Sequence, residues 1–359
     1  MKAAVLREFG KPLVIEELEI GAPQAGEIKV KMAACAICHS DIIYADGGWG
    51  GTLPLLLGHE AAGVISEVGP GVTRLNVGDH VVVTLIKSCG HCYYCDQGHF
   101  TSCETDLSRG ESLLKDGSGD EVLQGLNTGA FAEEVVVDQS QVVVIPKDIP
   151  LDSASLLACG VITGLGAVTN TAEVPAGSSV VVIGCGGVGL NSVQGAAISG
   201  AHPVIAIDLN DSKLEAAQDF GATHAINPKR DNAVEAVQAV TNGRGADYVF
   251  VAAGSGPAID QGLELVAPTG TFVMVGMPPT GVMTEVEMSN IAAASQTIKG
   301  SKMGSIRLQT DLPRLVEMYQ TGRLKLDELI TGRYPLEQIN EAIESAQKGE
   351  ALRNVIVFD

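Results

Sequence analysis

The sequence predicts an α/β protein, with a β-rich first half joined to a doubly wound parallel sheet covered by helices on both faces. Three observations carry that prediction. Short β-type runs separated by turn signals fill the first 150 residues. Apolar strand patterns then alternate with helical ones. Directly after the first of those later strands comes a glycine-rich hexapeptide, Gly184-Cys185-Gly186-Gly187-Val188-Gly189.

In chain order, Glu27 to Met32, Ala62 to Val68, His80 to Leu85 and Glu134 to Val137 read as strands. Gly69-Pro70-Gly71 and Asn76 to Asp79 read as turns between them. Ser108 to Gly129 is polar, glycine-rich and without a period, which predicts a long loop serving a site or a partner surface. Beyond residue 150, Ser179 to Ile183, Val204 to Ile207, Asp247 to Val251 and Gly270 to Val275 read as parallel strands. Helices occupy the intervals, notably Ser212 to Phe220 and Ala258 to Ala267, the second stopped by Pro268. Helices over Leu312 to Thr321 and Leu336 to Lys348, then a strand over Asn354 to Phe358, end the sequence.

The chain carries 43 acidic and 23 basic residues, a formal net charge of −20. That balance argues against a sequence-independent grip on nucleic acid or on an anionic membrane. Lys2, Arg7 and Glu8 interrupt the first ten residues, so no signal peptide is expected there. The longest apolar stretch, Leu156 to Val168, is too short to span a bilayer. The expectation is a soluble cytoplasmic protein with neither nucleic acid nor membrane as partner.

Four of the eight cysteines, Cys89, Cys92, Cys95 and Cys103, fall within fifteen residues. Sulfurs spaced three apart converge on one point when the loop is tight, and four thiolates around one ion make the closed tetrahedron of a structural zinc. The alternatives are four reduced thiols or two disulfides. His91 lies inside the cluster as a bystander, because four sulfurs already complete the shell. Elsewhere, Cys38 precedes His39-Ser40-Asp41, and Gly58-His59-Glu60 follows about twenty residues on. His59 to Gly63 superficially matches the zinc-protease helix, but Gly63 stands where a second histidine is required. Cys38, His59 and Cys159 could instead hold a metal with one position open, although spacing gives no reason to choose Cys159 from its apolar run. Cys35 and Cys185 read as buried filler.

The hexapeptide is a G-x-G-x-x-G with a strand before it and a helix after it. Gly184 permits the tight turn, Gly186 admits a pyrophosphate, and Gly189 lets helix and strand pack closely; Gly187 and Val188 complete the loop. The helix N-terminus faces the negative charge. Asp208 ends the next strand, nineteen residues past Gly189, where a carboxylate accepts from ribose hydroxyls and repels a 2′-phosphate. No arginine follows closely, and Lys213 is the first basic group. NAD is therefore expected over NADP.

Taken together, these features resemble the zinc-dependent alcohol dehydrogenases of the medium-chain dehydrogenase/reductase family, over essentially the whole length. Gly58-His59-Glu60-Ala61-Ala62-Gly63, with Gly69 and Val72, matches the family's zinc signature. The resemblance implies a discontinuous, GroES-like catalytic domain over 1–160 and 302–359, a Rossmann NAD-binding domain over 161–301, and an active site in the cleft between them. It implies two Zn2+ per chain, the catalytic one held by Cys38, His59 and Cys159 and the structural one by the four-cysteine lobe. Glu60 is implied as a carboxylate near the metal, Asp41 as the acid orienting His59, and Ser40 as the hydroxyl that takes the alcohol proton. His39 and Arg353 are implied at the pyrophosphate, and Thr163, Val188 and Val275 around the nicotinamide. One departure stands out: Ile43 occupies the place of a relay histidine, so the proton leaves by ribose and water or with help from His39.

The implied reaction interconverts a small alcohol with its aldehyde or ketone, by hydride transfer from a zinc-bound alkoxide to NAD. Two alternatives are a glutathione-dependent formaldehyde dehydrogenase, for whose anionic substrate Arg109 is the single basic candidate, and a non-catalytic dinucleotide-binding protein. By family analogy Thr271 to Val275 forms a subunit-contact edge, which implies a homodimer or homotetramer.

Overall fold

The computed structural model describes residues 1–107 and 111–359, which divide into two compact units. One comprises Met1–Cys159 and Arg307–Asp359, the other Gly160–Ile306.

In the first unit a seven-stranded sheet runs Val142–Val144, His80–Val83, Glu60–Val68, Glu27–Ala36, Arg353–Val357 and Ile330–Pro335, with Glu134–Asp138 also paired to Glu27–Ala36. The register decides what meets what. Ala36 lies opposite Glu60 on one side and Val355 on the other. The end of one strand thus approaches Cys38, the start of the second follows His59, and the start of the third is Arg353. Glu27–Ala36 continues four residues past the expected end, because most of its side chains on both faces are buried and no alternation marks its limit. Gly63 is required by close approach: a Cβ there would stand 2.1 Å from Lys31 O. Phe131, Leu6, Ile28, Met32 and Leu56 fill the core of this unit and are essentially inaccessible. Each such side chain contributes roughly 1.5–3 kcal/mol by leaving water.

The expected loop from Ser108 to Gly129 is not structureless where it is described. Leu114–Lys115 and Glu121–Gln124 pair as a hairpin, and one helical turn follows at Gly125–Asn127. Its turn is closed by Asp116, whose Oδ1 accepts from Ser118 N–H at 3.0 Å and from Asp120 N–H at 3.1 Å. Strands of two and four residues are too short to leave a period in the sequence.

The second unit is a six-stranded, wholly parallel sheet ordered His224–Ile226, Val204–Ile207, Val180–Ile183, Ala246–Val251, Val266–Met274, Thr297–Gly300. Strand order reverses beside Val180–Ile183, the first strand of this unit in chain order, and the glycine hexapeptide begins where that strand ends. This is the topological switch point at which open α/β sheets bind ligands. Two expectations are corrected. The helix expected over Ala258 to Ala267 spans Gly256–Glu264, and Val266 already pairs with Ala246. Pro268 and Thr269, the latter at φ 63°, interrupt the strand at a register shift rather than ending a helix. Thr271 to Val275 is not an edge: its strand lies between Ala246–Val251 and Thr297–Gly300, and the latter is the edge strand on that side of the sheet, His224–Ile226 being the edge on the other. Among the described residues no single helix is long and apolar enough to cross a membrane.

Candidate metal and dinucleotide sites

In the first unit Cys38, His59, Glu60 and Cys159 each present a donor atom, all within 4.8 Å of one another, and all four residues are buried. Cys38 caps helix His39–Ala45, His59 precedes strand Glu60–Val68, and Cys159 follows the turn Leu156–Ala158. Asp41 organises the group. Its Oδ1 lies 3.0 Å from His59 Nδ1 and accepts from Gly58 N–H at 3.0 Å, while Oδ2 accepts from Cys38 N–H at 3.2 Å. A carboxylate on Nδ1 holds the proton there, so Nε2 is the nitrogen left to face a metal; Asp41 and Cys38 also push the imidazole well above its ordinary range in spite of burial, so a cation there would displace a proton. Nε2 is buried and has no hydrogen-bond partner. The hydrogen bond with Cys159 pulls the Cys38 thiol well below its ordinary range; the same bond and burial push Cys159 well above it. The thiolate form is thus favoured at Cys38 and the thiol form at Cys159. An orphaned imidazole nitrogen facing two such thiols is a donor set that fits zinc.

The guanidinium of Arg353 is buried, with Nη2 at 2.6 Å from Glu60 Oε2. Burial raises the Glu60 carboxyl to about 7 in spite of this cation. The position of Arg353 at the start of the last strand carried no signal of its partner, which only the sheet register supplies. Ser40 is half-buried and His39 exposed on the helix that Cys38 caps, and Ile43 on the same helix is buried.

The four sulfurs of Cys89, Cys92, Cys95 and Cys103 also lie within 4.8 Å of one another, and all eight cysteines are free thiols, which sets aside the two-disulfide alternative. Cys89 Sγ accepts from Thr105 Oγ1 at 3.1 Å and from His91 N–H at 3.4 Å, and Cys103 Sγ accepts from Cys89 N–H at 3.4 Å. The Thr105 hydroxyl and the His91 amide bring Cys89 down to about 6, whereas burial lifts Cys95 to about 12. His91 turns its Nδ1 to Cys89 O at 2.8 Å and stands outside the donor group. Cys35 and Cys185 are buried and belong to neither group.

In the second unit Gly189 meets the demand of close packing, since a Cβ would lie 1.7 Å from Gly184 O. Gly186, with open space where its Cβ would be, caps helix Gly187–Ile198, and Val188 is half-buried in its first turn. Asp208 directs its carboxylate back to this loop, accepting from Cys185 N–H at 2.7 Å and Asn210 N–H at 2.8 Å. Lys213 is half-buried on the following helix, Asp211–Asp219. Val275 is buried just beyond its strand, and Thr163 Oγ1 lies 3.6 Å from Met303 Sδ. Met303 and its neighbours carried no motif, and only the fold brings them to this edge of the sheet. Arg109 lies outside the described residues.

Two family models match the chain: an alcohol dehydrogenase GroES-like domain over residues 24–147 and a zinc-binding dehydrogenase over residues 187–321. The NDMA-dependent alcohol dehydrogenase of Amycolatopsis methanolica is 38% identical over 365 residues, 99% of this chain and 98% of that protein. Among solved structures, an alcohol dehydrogenase zinc-binding domain protein from Burkholderia ambifaria superposes with a TM-score of 0.95 at 36% identity, covering 100% of this chain and 98% of its own. The benzyl alcohol dehydrogenase of Acinetobacter calcoaceticus gives 0.93 at 33% identity, covering 100% and 99%.

Proposed function

The chain belongs to the zinc-dependent alcohol dehydrogenases of the medium-chain dehydrogenase/reductase family, and from that premise we propose which of its residues perform the reaction. The enzyme is an NAD-linked oxidoreductase that interconverts an alcohol and its carbonyl product. Cys38, His59 and Cys159 hold the catalytic zinc, and Cys89, Cys92, Cys95 and Cys103 the structural one. The observation that carries this reading is the partnerless, buried Nε2 of His59 beside two thiols.

A zinc ion at Cys38, His59 and Cys159 supplies Lewis acidity, of the strength that brings the pKa of water from about 16 to about 7. Two thiolates and a neutral imidazole balance a dication. Asp41 keeps the imidazole in the tautomer that offers Nε2. The hydroxyl of Ser40, on the helix that Cys38 caps, would take the proton from the alcohol, and a nicotinamide bound beside it would supply the hydride acceptor. Ile43 cannot pass that proton on, so its way out would run through ribose hydroxyl and water, with exposed His39, next to Ser40, as a candidate base. Glu60, raised to about 7 and tied to Arg353, is the carboxylate that would be within reach of a metal held by Cys38, His59 and Cys159. Gly184 to Gly189 receive the pyrophosphate and Asp208 the adenosine ribose.

Likeness to a benzyl alcohol dehydrogenase puts aromatic primary alcohols at the head of the substrate panel. A glutathione-dependent activity requires cationic residues for an anionic conjugate, and measuring formaldehyde oxidation with and without glutathione separates that reading. The non-catalytic reading predicts no metal beside His59. The free thiols imply a reducing, cytoplasmic setting. The free edge Thr297–Gly300, with Met283, Met288 and Ile298 exposed nearby in the chain, is the surface through which we expect a homodimer or homotetramer. Turnover of benzyl alcohol with NAD, measured beside zinc content, tests the assignment: activity that survives removal of the metal contradicts it.

A further inference from the structure

Met303, Gly304 and Ser305 follow one another in the left-handed region, with φ of 51°, 63° and 49°. Non-glycine residues are uncommon there, and a run of this kind persists only where its surroundings hold it. The hold comes from one short segment. Thr171 Oγ1 lies 2.9 Å from Ser301 Oγ and 2.8 Å from Ser305 Oγ, and Asn170 Nδ2 donates to Gly304 O at 3.4 Å. Lys299 Nζ donates to Thr171 O at 3.2 Å. Gly304 sits so close to the preceding helix that a Cβ would stand 2.1 Å from Ile162 O. Thr171 itself belongs to the π-type turns Ala167–Ala172, a departure from α-geometry that recurs at functional sites.

The location suggests what the strain is for. The turn follows the carboxyl end of strand Thr297–Gly300, on the same edge of the sheet as Gly184–Gly189 and Asp208. Ligands of open parallel sheets bind outside that edge. Met303 touches Thr163, a residue assigned to the nicotinamide half of the cofactor, whereas Asp208 and the glycines serve the adenosine and pyrophosphate half.

We propose that Thr171 is a positioning residue for the nicotinamide half of NAD, fixing through Ser301 and Ser305 the turn against which that half binds. The proposal rests on the reading of Gly184–Gly189 as the NAD site. The test compares two ligands on the full-length protein, NADH and ADP-ribose, which lacks the nicotinamide. Thr171→Val keeps the shape and loses the hydroxyl. It should bind NADH about tenfold more weakly, the order expected for losing two hydrogen bonds. ADP-ribose affinity should stay within about twofold of wild type, and Thr171→Ser should recover NADH binding. In turnover, KM for NAD should rise more than kcat falls. Equal weakening of both ligands, or of neither, overturns the proposal. If Thr171→Val does not fold, Ser305→Ala removes one of the two bonds and carries the same comparison: selective loss of NADH binding supports the proposal, and an equal effect on both ligands overturns it. A wild-type chain that binds neither ligand overturns the NAD-site reading and this proposal with it.

Discussion

The two cysteine groups differ in almost every physical respect. The lobe takes its four donors from fifteen consecutive residues, three of them half-exposed, and its backbone and Thr105 supply hydrogen bonds to sulfur. The other group draws Cys38, His59 and Cys159 from well-separated parts of the sequence, buries them, and leaves an imidazole nitrogen without a hydrogen-bond partner. Four sulfurs close a coordination shell; on the reading proposed above, two sulfurs and one nitrogen, with Glu60 tied to Arg353, would leave it open, so the first arrangement would support a fold and the second a reaction.

Substitutions should separate the two. The largest effect is expected at the open group: Cys38→Ser or His59→Ala should lower turnover by at least about a thousandfold, the scale of several kcal/mol of lost transition-state stabilisation. NADH affinity, read by fluorescence, should stay near wild type. Normal turnover in these variants would erase the distinction. At the lobe the pattern should invert. Cys92→Ser or Cys103→Ala should lower soluble yield and thermal midpoint, because a structural zinc contributes folding free energy directly. The folded remainder should keep a near-normal kcat, and a stable but inactive variant would contradict that division.

A finer cut falls on Asp41, which touches the open group only through His59, Cys38 and Gly58. Asp41→Asn should weaken zinc retention there by about 10–100-fold in a chelator competition, with the lobe's zinc unaffected. The smallest effect lies away from both metals. Asp208→Gly removes the carboxylate that disfavours a 2′-phosphate and should shift the NAD to NADP ratio of kcat/KM by about tenfold. Equal use of both cofactors by the unmutated enzyme would refute that role.

The same contrast governs how much the sequence made legible. Local chemistry was readable: the lobe's spacing, the glycine hexapeptide and the strand–helix alternation each keep their information within thirty residues. Four of the six parallel strands were readable as short apolar runs, three of them within one residue of their observed limits, whereas His224–Ile226 and Thr297–Gly300 carry too little apolar pattern to stand out. Cys159 was different. It lies in an apolar run where burial alone accounts for a cysteine, so only family resemblance singled it out. The Arg353–Glu60 pair depends on the register of three strands, which no local pattern encodes. For the same reason the edge strand was placed one position too early: Thr271 to Val275 and Thr297 to Gly300 differ in neighbours, not in any local signal. The Met303–Ser305 turn left no trace because its strain is imposed from Thr171, more than a hundred residues away.

The open group can be tested most directly by counting metal. Elemental analysis of the purified protein should give two zinc ions per chain, and Cys159→Ala should give one while the protein stays folded. Two ions in that variant, or a single ion in the unmutated chain, would contradict the account.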